Sequence, residues 1–250
     1  MDLSSVCALV TGASHGVGAA VAAHFVRAGA RVVLHAGRDI ERARELATSL
    51  GSGAVGALQA DLAVPGAGTD LFAEADALSD GRLNVVINNA GIFVDSPLAA
   101  DDAGWQAAWQ RTLQVNLIAV ADISRAAVLA FRDRGGGSLI AIASRAGHRG
   151  DDADHSAYAA SKGGVLALTK TLARAYSGQG VLAFAIAPGW VDTRMAPQDP
   201  ATRDLAASEI PLGRMAAAEE IAAACAFLAS GACPSASGSC LDINGASYVR

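Results

Sequence analysis

Residues 6–25 read VCALVTGASHGVGAAVAAHF, and the parsing of this stretch decides the fold. Val6–Val10 is a short, continuously apolar run, the pattern of a strand covered on both faces. Gly12, Gly16 and Gly18 follow directly, and Val17–Ala28 then carries a helical pattern. Small residues allow close approach of the backbone, and a helix N-terminus offers free N–H groups and the positive end of its dipole. A strand, glycine turn and helix in succession are therefore suited to a pyrophosphate. Glycines alone would also suit any tight turn. Their position at the first strand–helix junction is what points to a nucleotide.

Working outward, further short apolar runs occur at Arg31–His35, Val55–Gln59, Leu83–Asn88, Ser138–Ala143, Val181–Ala187 and Ser239–Asp242. Between them lie helical patterns at Ile40–Leu50, about Thr69–Leu78, Trp105–Phe131, His155–Tyr176 and Ala218–Leu228. This alternation predicts an α/β fold: a single-domain, Rossmann-type, doubly wound parallel sheet spanning residues 1–250. GSGAVG at 51–56 reads as a helix stop entering the third strand, not as a linker. The Pro-interrupted, mixed-charge stretch 192–214 reads as a lid over a substrate, or as an ordered surface excursion.

Charged residues make up 17% of the 250 and the net charge is −5, so no basic footprint argues for nucleic acid or anionic lipid. No uninterrupted apolar run has the length of a membrane span, and the N-terminus lacks a leader pattern. Cys7, Cys225, Cys233 and Cys240 have no ligand-like spacing, so buried free thiols in a reducing, cytoplasmic setting are expected, with no metal. The partner expected is a small molecule.

The end of the second strand, RVVLHAGRD at 31–39, bears on the cofactor. A carboxylate there accepts the ribose hydroxyls of NAD, whereas an arginine favours the 2′-phosphate of NADP. Arg38 follows the strand, and Asp39 is placed to cap the next helix. His15, in the turn, offers a second donor. NADP(H) is preferred and NAD(H) remains open; a surface pair of Arg38 with Asp39 or Glu41 is the alternative.

YAASK at 158–162 sets Tyr158 and Lys162 one helical turn apart on the same side. A free tyrosine has a pKa near ~10, too high for efficient acid–base work at neutral pH, and a neighbouring ammonium favours the phenolate. The spacing therefore predicts a tyrosine serving as acid and base. TGASHGVG at 11–18, NNAG at 88–91, YAASK and PGWVDT at 188–193 occur in this order, with SLIAIAS at 138–144 before the tyrosine. On these motifs the chain resembles the short-chain dehydrogenase/reductase family along essentially its whole length. Its closing segments, IPLGRMAAAEEIAAACAFLAS and GSCLDINGASYVR, are similar to the oxoacyl-reductase and sugar-dehydrogenase branches.

The resemblance implies a catalytic set of Asn116, Ser144, Tyr158 and Lys162. It implies cofactor contacts from Gly12, Ser14, His15, Gly16, Val17 and Gly18 in the turn, and from Arg38, Asp61 and Leu62 at the adenosine end. Asn89, Ala90 and Gly91 would border the cofactor, with Tyr158 and Lys162, and Pro188, Gly189, Val191 and Thr193 would hold the nicotinamide end. The implied activity is NAD(P)(H)-dependent interconversion of a ketone and a secondary alcohol, with a 3-oxoacyl thioester as leading substrate. A sugar, polyol or secondary metabolite is the alternative, and a non-catalytic nucleotide sensor the second. A homodimer or homotetramer is implied by analogy.

Three places depart from the family pattern. RAGHRGDDADHSA at 145–157 is one residue longer and more charged than usual, which suits a polar or anionic substrate. Phe184–Ala185 replaces a common Asn-Ala, and Ala175 replaces a common glutamate on a helix that relatives use for assembly, so the oligomer is open.

Overall fold

A computed structural model describes all 250 residues. Seven parallel strands form one sheet in the order β3-β2-β1-β4-β5-β6-β7. They are β1 (Cys7–Val10), β2 (Arg31–Ala36), β3 (Ala54–Gln59), β4 (Val85–Asn88), β5 (Gly137–Ile142), β6 (Val181–Pro188) and β7 (Cys240–Ile243). The single α/β domain of Rossmann type expected from the alternation is what forms.

Strand residues alternate between two cores. Ala8, Val10, Val32, Leu34, Ile140 and Ile186 face α1 (Gly16–Arg27), α2 (Ile40–Leu50) and a helix at Ala218–Ala229. Cys7, Leu9, Val33, Val86, Leu139 and Ala183 face α3 (Ala67–Leu78) and helices at Ala119–Asp133 and Ser156–Tyr176. Helices on both faces leave no solvated side, which is why the strands read as unbroken apolar runs.

The long helix expected around Trp105–Phe131 forms, running Asp102–Asp133 in two α-helical parts. α4 (Asp102–Leu113) starts at Asp101, whose carboxylate accepts the Gly104 N–H at 2.7 Å, and α5 is Ala119–Asp133. A π-helical turn, Gln114–Ile118, joins them. Such turns widen a helix by one residue and are frequent at functional sites. The whole 102–133 stretch is long and apolar enough to cross a membrane by length and composition, although no uninterrupted run signalled it. It is a core helix here, burying Val115, Val120, Ile123, Val128 and Phe131.

The segment expected as a lid is ordered. It contains a helix at Pro200–Ser208 with proline at its first position, capped by Asp199, which accepts the Thr202 N–H at 2.9 Å. Ala196, Ala206, Ile210 and Met215 form a small separate cluster under Trp190. Two short helices also lie in the charged loop, at Ala146–Arg149 and Ala153–His155. In chain order the remaining helices are therefore α6 (Ala146–Arg149), α7 (Ser156–Tyr176), α8 (Pro200–Ser208) and α9 (Ala218–Ala229). Of the four free cysteines, Cys7 and Cys225 are buried as expected, but Cys233 is exposed and Cys240 half-buried.

Candidate active site

All strands point the same way, so the loops at their C-terminal ends share one edge of the sheet, where ligands of open α/β sheets bind. A cleft of about 780 Å³ lies there. Its wall carries Gly12, Ser14, His15, Gly16 and Val17 from the first turn and Asn89, Ala90 and Gly91 after β4. Ser144, Tyr158 and Lys162 follow from β5 and α7, then Pro188, Gly189, Val191 and Thr193 after β6. Gly18, Arg38, Asp61, Leu62 and Asn116 are not on that wall. Trp190 and Phe93 also line it.

The glycine turn is shaped from below. Gly12 and Gly16 have φ of 66° and 54°, the left-handed region in which a side chain is disfavoured. Thr11 Oγ1 accepts the Asn89 and Ala90 N–H groups at 2.9 Å each, and Asn89 Nδ2 donates to the Thr11 carbonyl at 2.8 Å. Gly12 N–H donates to His35 Nδ1 at 3.2 Å, while His35 Nε2 meets the Ala60 carbonyl at 3.0 Å. With Nε2 donating, that pairing fixes a neutral ring; burial pushes the His35 pKa down in agreement. His35 was legible only as a strand residue. α1 has no side-chain cap at its N-terminus and no acidic residue in its first turn. Its free amides, the left-handed glycines and the cleft together fit a dinucleotide pyrophosphate.

Both basic and acidic side chains lie around this turn. Arg42 of α2, absent from the sequence expectations, donates from Nε to the Ser14 carbonyl at 3.2 Å. Asp39 sits at the N-cap of α2 without capping it; its carboxylate lies 3.2 Å from His15 Nε2 instead. Arg38 is exposed and pairs with neither Asp39 nor Glu41, because Arg44 takes Glu41. Asp61 accepts the Ala63 N–H at 3.0 Å, and Leu62 is buried in the core.

At the other end of the cleft, Lys162 is 5% exposed and its Nζ donates to the Ile142 carbonyl at 2.8 Å. No carboxylate pairs with it, and burial pushes its pKa down to about 8. The ammonium lies 5.7 Å from the Tyr158 ring centre. Burial pushes the Tyr158 pKa up to about 12, and a hydrogen bond from Ser144 only partly opposes it. Lys162 was expected to favour the phenolate with oxidised nicotinamide adding to its charge; in the protein by itself, burial acts in the opposite direction on both groups.

One aromatic contact holds Tyr158 and is itself supported by a second. Its ring meets Phe93 edge-on at 4.8 Å, and Phe93 stacks on His155 at 3.8 Å. His155 is held in turn by Asp152 at 2.6 Å and Asp95 at 3.1 Å. Asn116 is fully buried in the π turn. It exchanges hydrogen bonds with the Ile92 backbone at 2.8 and 2.9 Å and donates to Ser161 Oγ at 3.2 Å. Of the charged loop, Arg145, Arg149, Asp151 and Asp152 reach the cleft; His148, Asp154 and His155 do not. His148 lies instead 3.6 Å from Cys240 Sγ and 3.7 Å from Asp242, whose carboxylate Arg250 holds at 2.8 Å.

The Lys162 environment carries a stability prediction. Folded, the amine titrates near 8; unfolded, near its usual 10.5. Between those values the unfolded chain binds a proton that the folded chain has released, so stability rises with pH there, by up to about 3 kcal/mol. Burial raises the pKa of the Cys7, Cys225 and Cys240 thiols, which lowers stability as pH rises in the same window, so the Lys162 contribution is read as a difference between the native protein and a variant without the amine. Above pH 10 the raised Tyr158 pKa acts oppositely, and stability falls. Urea titrations at pH 7.5 and 9.5 are expected to show the stability of the native protein rising relative to that of Lys162→Met; a difference between the two that does not change with pH refutes the assignment.

The family model described as Enoyl-(Acyl carrier protein) reductase matches residues 12–245. The chain is 38% identical over 250 residues to 3beta-hydroxysteroid dehydrogenase 1 of Eggerthella lenta, covering 98% of this chain and 94% of that protein. It is 34% identical over 253 residues to a 3-oxoacyl-[acyl-carrier-protein] reductase of Salmonella typhimurium, covering 100% of both. Among solved structures, a short chain dehydrogenase from Burkholderia cenocepacia in complex with NADP superposes with a TM-score of 0.88 at 33% identity, covering 99% of both chains. A protein assigned as a 2-deoxy-D-gluconate 3-dehydrogenase from Agrobacterium tumefaciens, with bound NADP, gives 0.85 at 33% identity over 96% of this chain and 95% of that one. With the parallel sheet, the glycine turn and the Ser144–Tyr158–Lys162 cleft, these matches establish that the chain belongs to the short-chain dehydrogenase/reductase family and is an NAD(P)-dependent oxidoreductase.

Proposed function

We propose that the protein interconverts a ketone and a secondary alcohol with NADP(H), using Tyr158 as proton donor and acceptor. The observation that carries this reading is the meeting of Ser144, Tyr158 and Lys162 in the cleft that the glycine turn also lines. The cofactor supplies or accepts the hydride. In reduction the Tyr158 hydroxyl gives its proton to the carbonyl oxygen while Ser144 donates a hydrogen bond to the same oxygen and orients it. Lys162 supplies the positive charge that makes proton loss from Tyr158 affordable, and its own proton lies within one turn of the phenol. Asn116 is a positioning residue: it ties the Ile92 backbone to Ser161, beside Lys162, where a water path to solvent would begin.

The preference for NADP(H) rests on Arg38, which has no carboxylate partner, and on Arg42 and His15 at the glycine turn. Arg38→Ala is expected to weaken NADPH binding about tenfold and NADH binding much less, the scale of one hydrogen bond to a charged group. Fluorescence titration of both nucleotides checks it, and an equal loss sinks the preference.

For the substrate, the cleft wall supports a polar, hydroxylated ketone or alcohol, since Arg145, Arg149, Asp151, Asp152 and Glu209 all line it. A 3-oxoacyl thioester is the second reading, favoured by full-length similarity to the Salmonella reductase. In both, residues 192–214 act as a lid, because Arg194, Met195, Ala196 and Glu209 face the cleft from it. Oxidation of NADPH and NADH, side by side, against a 3-oxoacyl thioester and a panel of keto sugars separates the readings. Turnover of the thioester alone favours the second, and turnover of neither, nor of any other ketone, overturns the reaction.

A further inference from the structure

We propose that Arg145 forms an anion subsite in the cleft, which selects a ketone or alcohol bearing a carboxylate near its reacting carbon; this deepens, and rests on, the polar-substrate reading above. Arg145 follows Ser144 directly in the chain, and both line the cleft. Arg145 is only 7% exposed, yet no carboxylate pairs with it. Its one side-chain bond runs from Nη1 to the hydroxyl of Ser247, a neutral acceptor. A guanidinium has five N–H donors and cannot shed its charge, and the donors that Ser247 does not take are open to the cleft, where a ligand can reach them.

Buried charges in proteins are paired or bound to a ligand, because taking one out of water without compensation is costly. The other charges on this wall do not compensate Arg145. Arg149 and Arg194 add positive charge, and Lys162 is held at the Ile142 carbonyl. Asp152 is engaged by His155. Glu209 and Asp151 act on Arg145 only from beyond ion-pair distance, while burial and Arg149 push its pKa down. The cleft-facing side of Arg145 thus has no carboxylate partner within the chain and is free to take one from a ligand.

The position in the fold narrows the source of that anion. The pyrophosphate belongs to the glycine turn with His15 and Arg42, whereas Arg145 is tied to Ser247 and neighbours the residue proposed to orient the reacting oxygen. The phosphate of a carrier thioester is separated from the 3-oxo carbon by the whole pantetheine arm. A carboxylate a few bonds from the carbonyl fits both Ser144 and a forked, bidentate contact with Arg145.

The test compares acids with neutral partners: acetoacetate with methyl acetoacetate in reduction by NADPH, and D-gluconate with D-glucitol in oxidation by NADP+. Calorimetry of both acids against the NADP+-loaded protein accompanies it. Arg145→Gln removes the charge and the guanidinium fork and shortens the side chain, so its Tm is measured beside its activity; Arg145→Lys keeps the charge. The native protein is expected to bind an acid and to prefer it over its neutral partner by about tenfold or more in kcat/KM. Arg145→Gln should lose that binding and that preference, and Arg145→Lys should recover part of both. No binding of either acid, a preference for the neutral partners, or a preference that survives in Arg145→Gln overturns the subsite. A further arm compares a 3-oxoacyl-CoA with its short N-acetylcysteamine thioester; if Arg145→Gln alters only that discrimination, the anion is a carrier phosphate and the carboxylate assignment fails. Reduction of the ester without acid preference leaves the oxidoreductase reading intact. Arg145-dependent binding without hydride transfer to any ketone does the reverse.

Discussion

Tyr158→Phe is expected to lower kcat for ketone reduction by about 10²- to 10⁴-fold, the usual worth of a positioned acid–base group, with NADPH binding retained. The substitution removes one oxygen and leaves the ring against Phe93, so the packing that places the residue persists. Retention of more than a tenth of the native kcat would remove Tyr158 from the proton-transfer role. The pH dependence sharpens the test. With the phenol raised to about 12, its proton is present throughout the working range, and the group that titrates first is Lys162 near 8. Reduction by the native protein should therefore decline as pH rises past about 8, when the ammonium is lost, and not near the ordinary tyrosine value. A decline centred near 10 would mean that Lys162 stays charged and that the phenol itself is the titrating group.

That example shows where sequence reasoning reached and where it stopped. The spacing of Tyr158 and Lys162 placed both on one side of a helix, and the apolar runs gave the seven strands, because these depend on local periodicity. The sign of the pKa shifts did not follow, since desolvation depends on what the rest of the chain packs around α7. The π-helical turn at Gln114–Ile118 was hidden for a similar reason: Asn116 is satisfied by Ile92, which precedes it by 24 positions and lies after another strand. His35 looked like any strand residue, yet it meets Gly12 across the sheet edge. Arg42 sits on the far side of a helix cap from Arg38, and only the folded chain brings it to Ser14. In each case the missing information is a contact between segments distant in sequence, whereas turns, caps and periodicities are written locally.

Gly18→Ala is the second large effect, and it separates a glycine required for shape from one required only for backbone freedom. Gly12 and Gly16 have left-handed backbones, but Gly18 lies within α1 and has no positive φ. What forbids a side chain there is space. A Cβ on Gly18 would fall 2.2 Å from the Gly12 carbonyl oxygen and 2.6 Å from Asn89 Nδ2. The first is backbone and cannot swing aside, and the second is already donating to the Thr11 and Gly12 carbonyls. Relief therefore requires α1 to move away from the turn, which carries the helix amides away from the position where a pyrophosphate would bind. Overpacking of this kind destabilises by about 1–3 kcal/mol or more, which for a chain of this size corresponds to a Tm lower by roughly 2–12 °C. NADPH affinity should fall by at least about tenfold, as phosphate-binding amides lose their alignment. Thermal unfolding with and without NADPH reads both effects, since a ligand that still binds would restore part of the Tm. A variant with native Tm and native NADPH affinity would mean that α1 yields without disturbing the turn, and the cradle would have to be assigned to Gly12 and Gly16 alone.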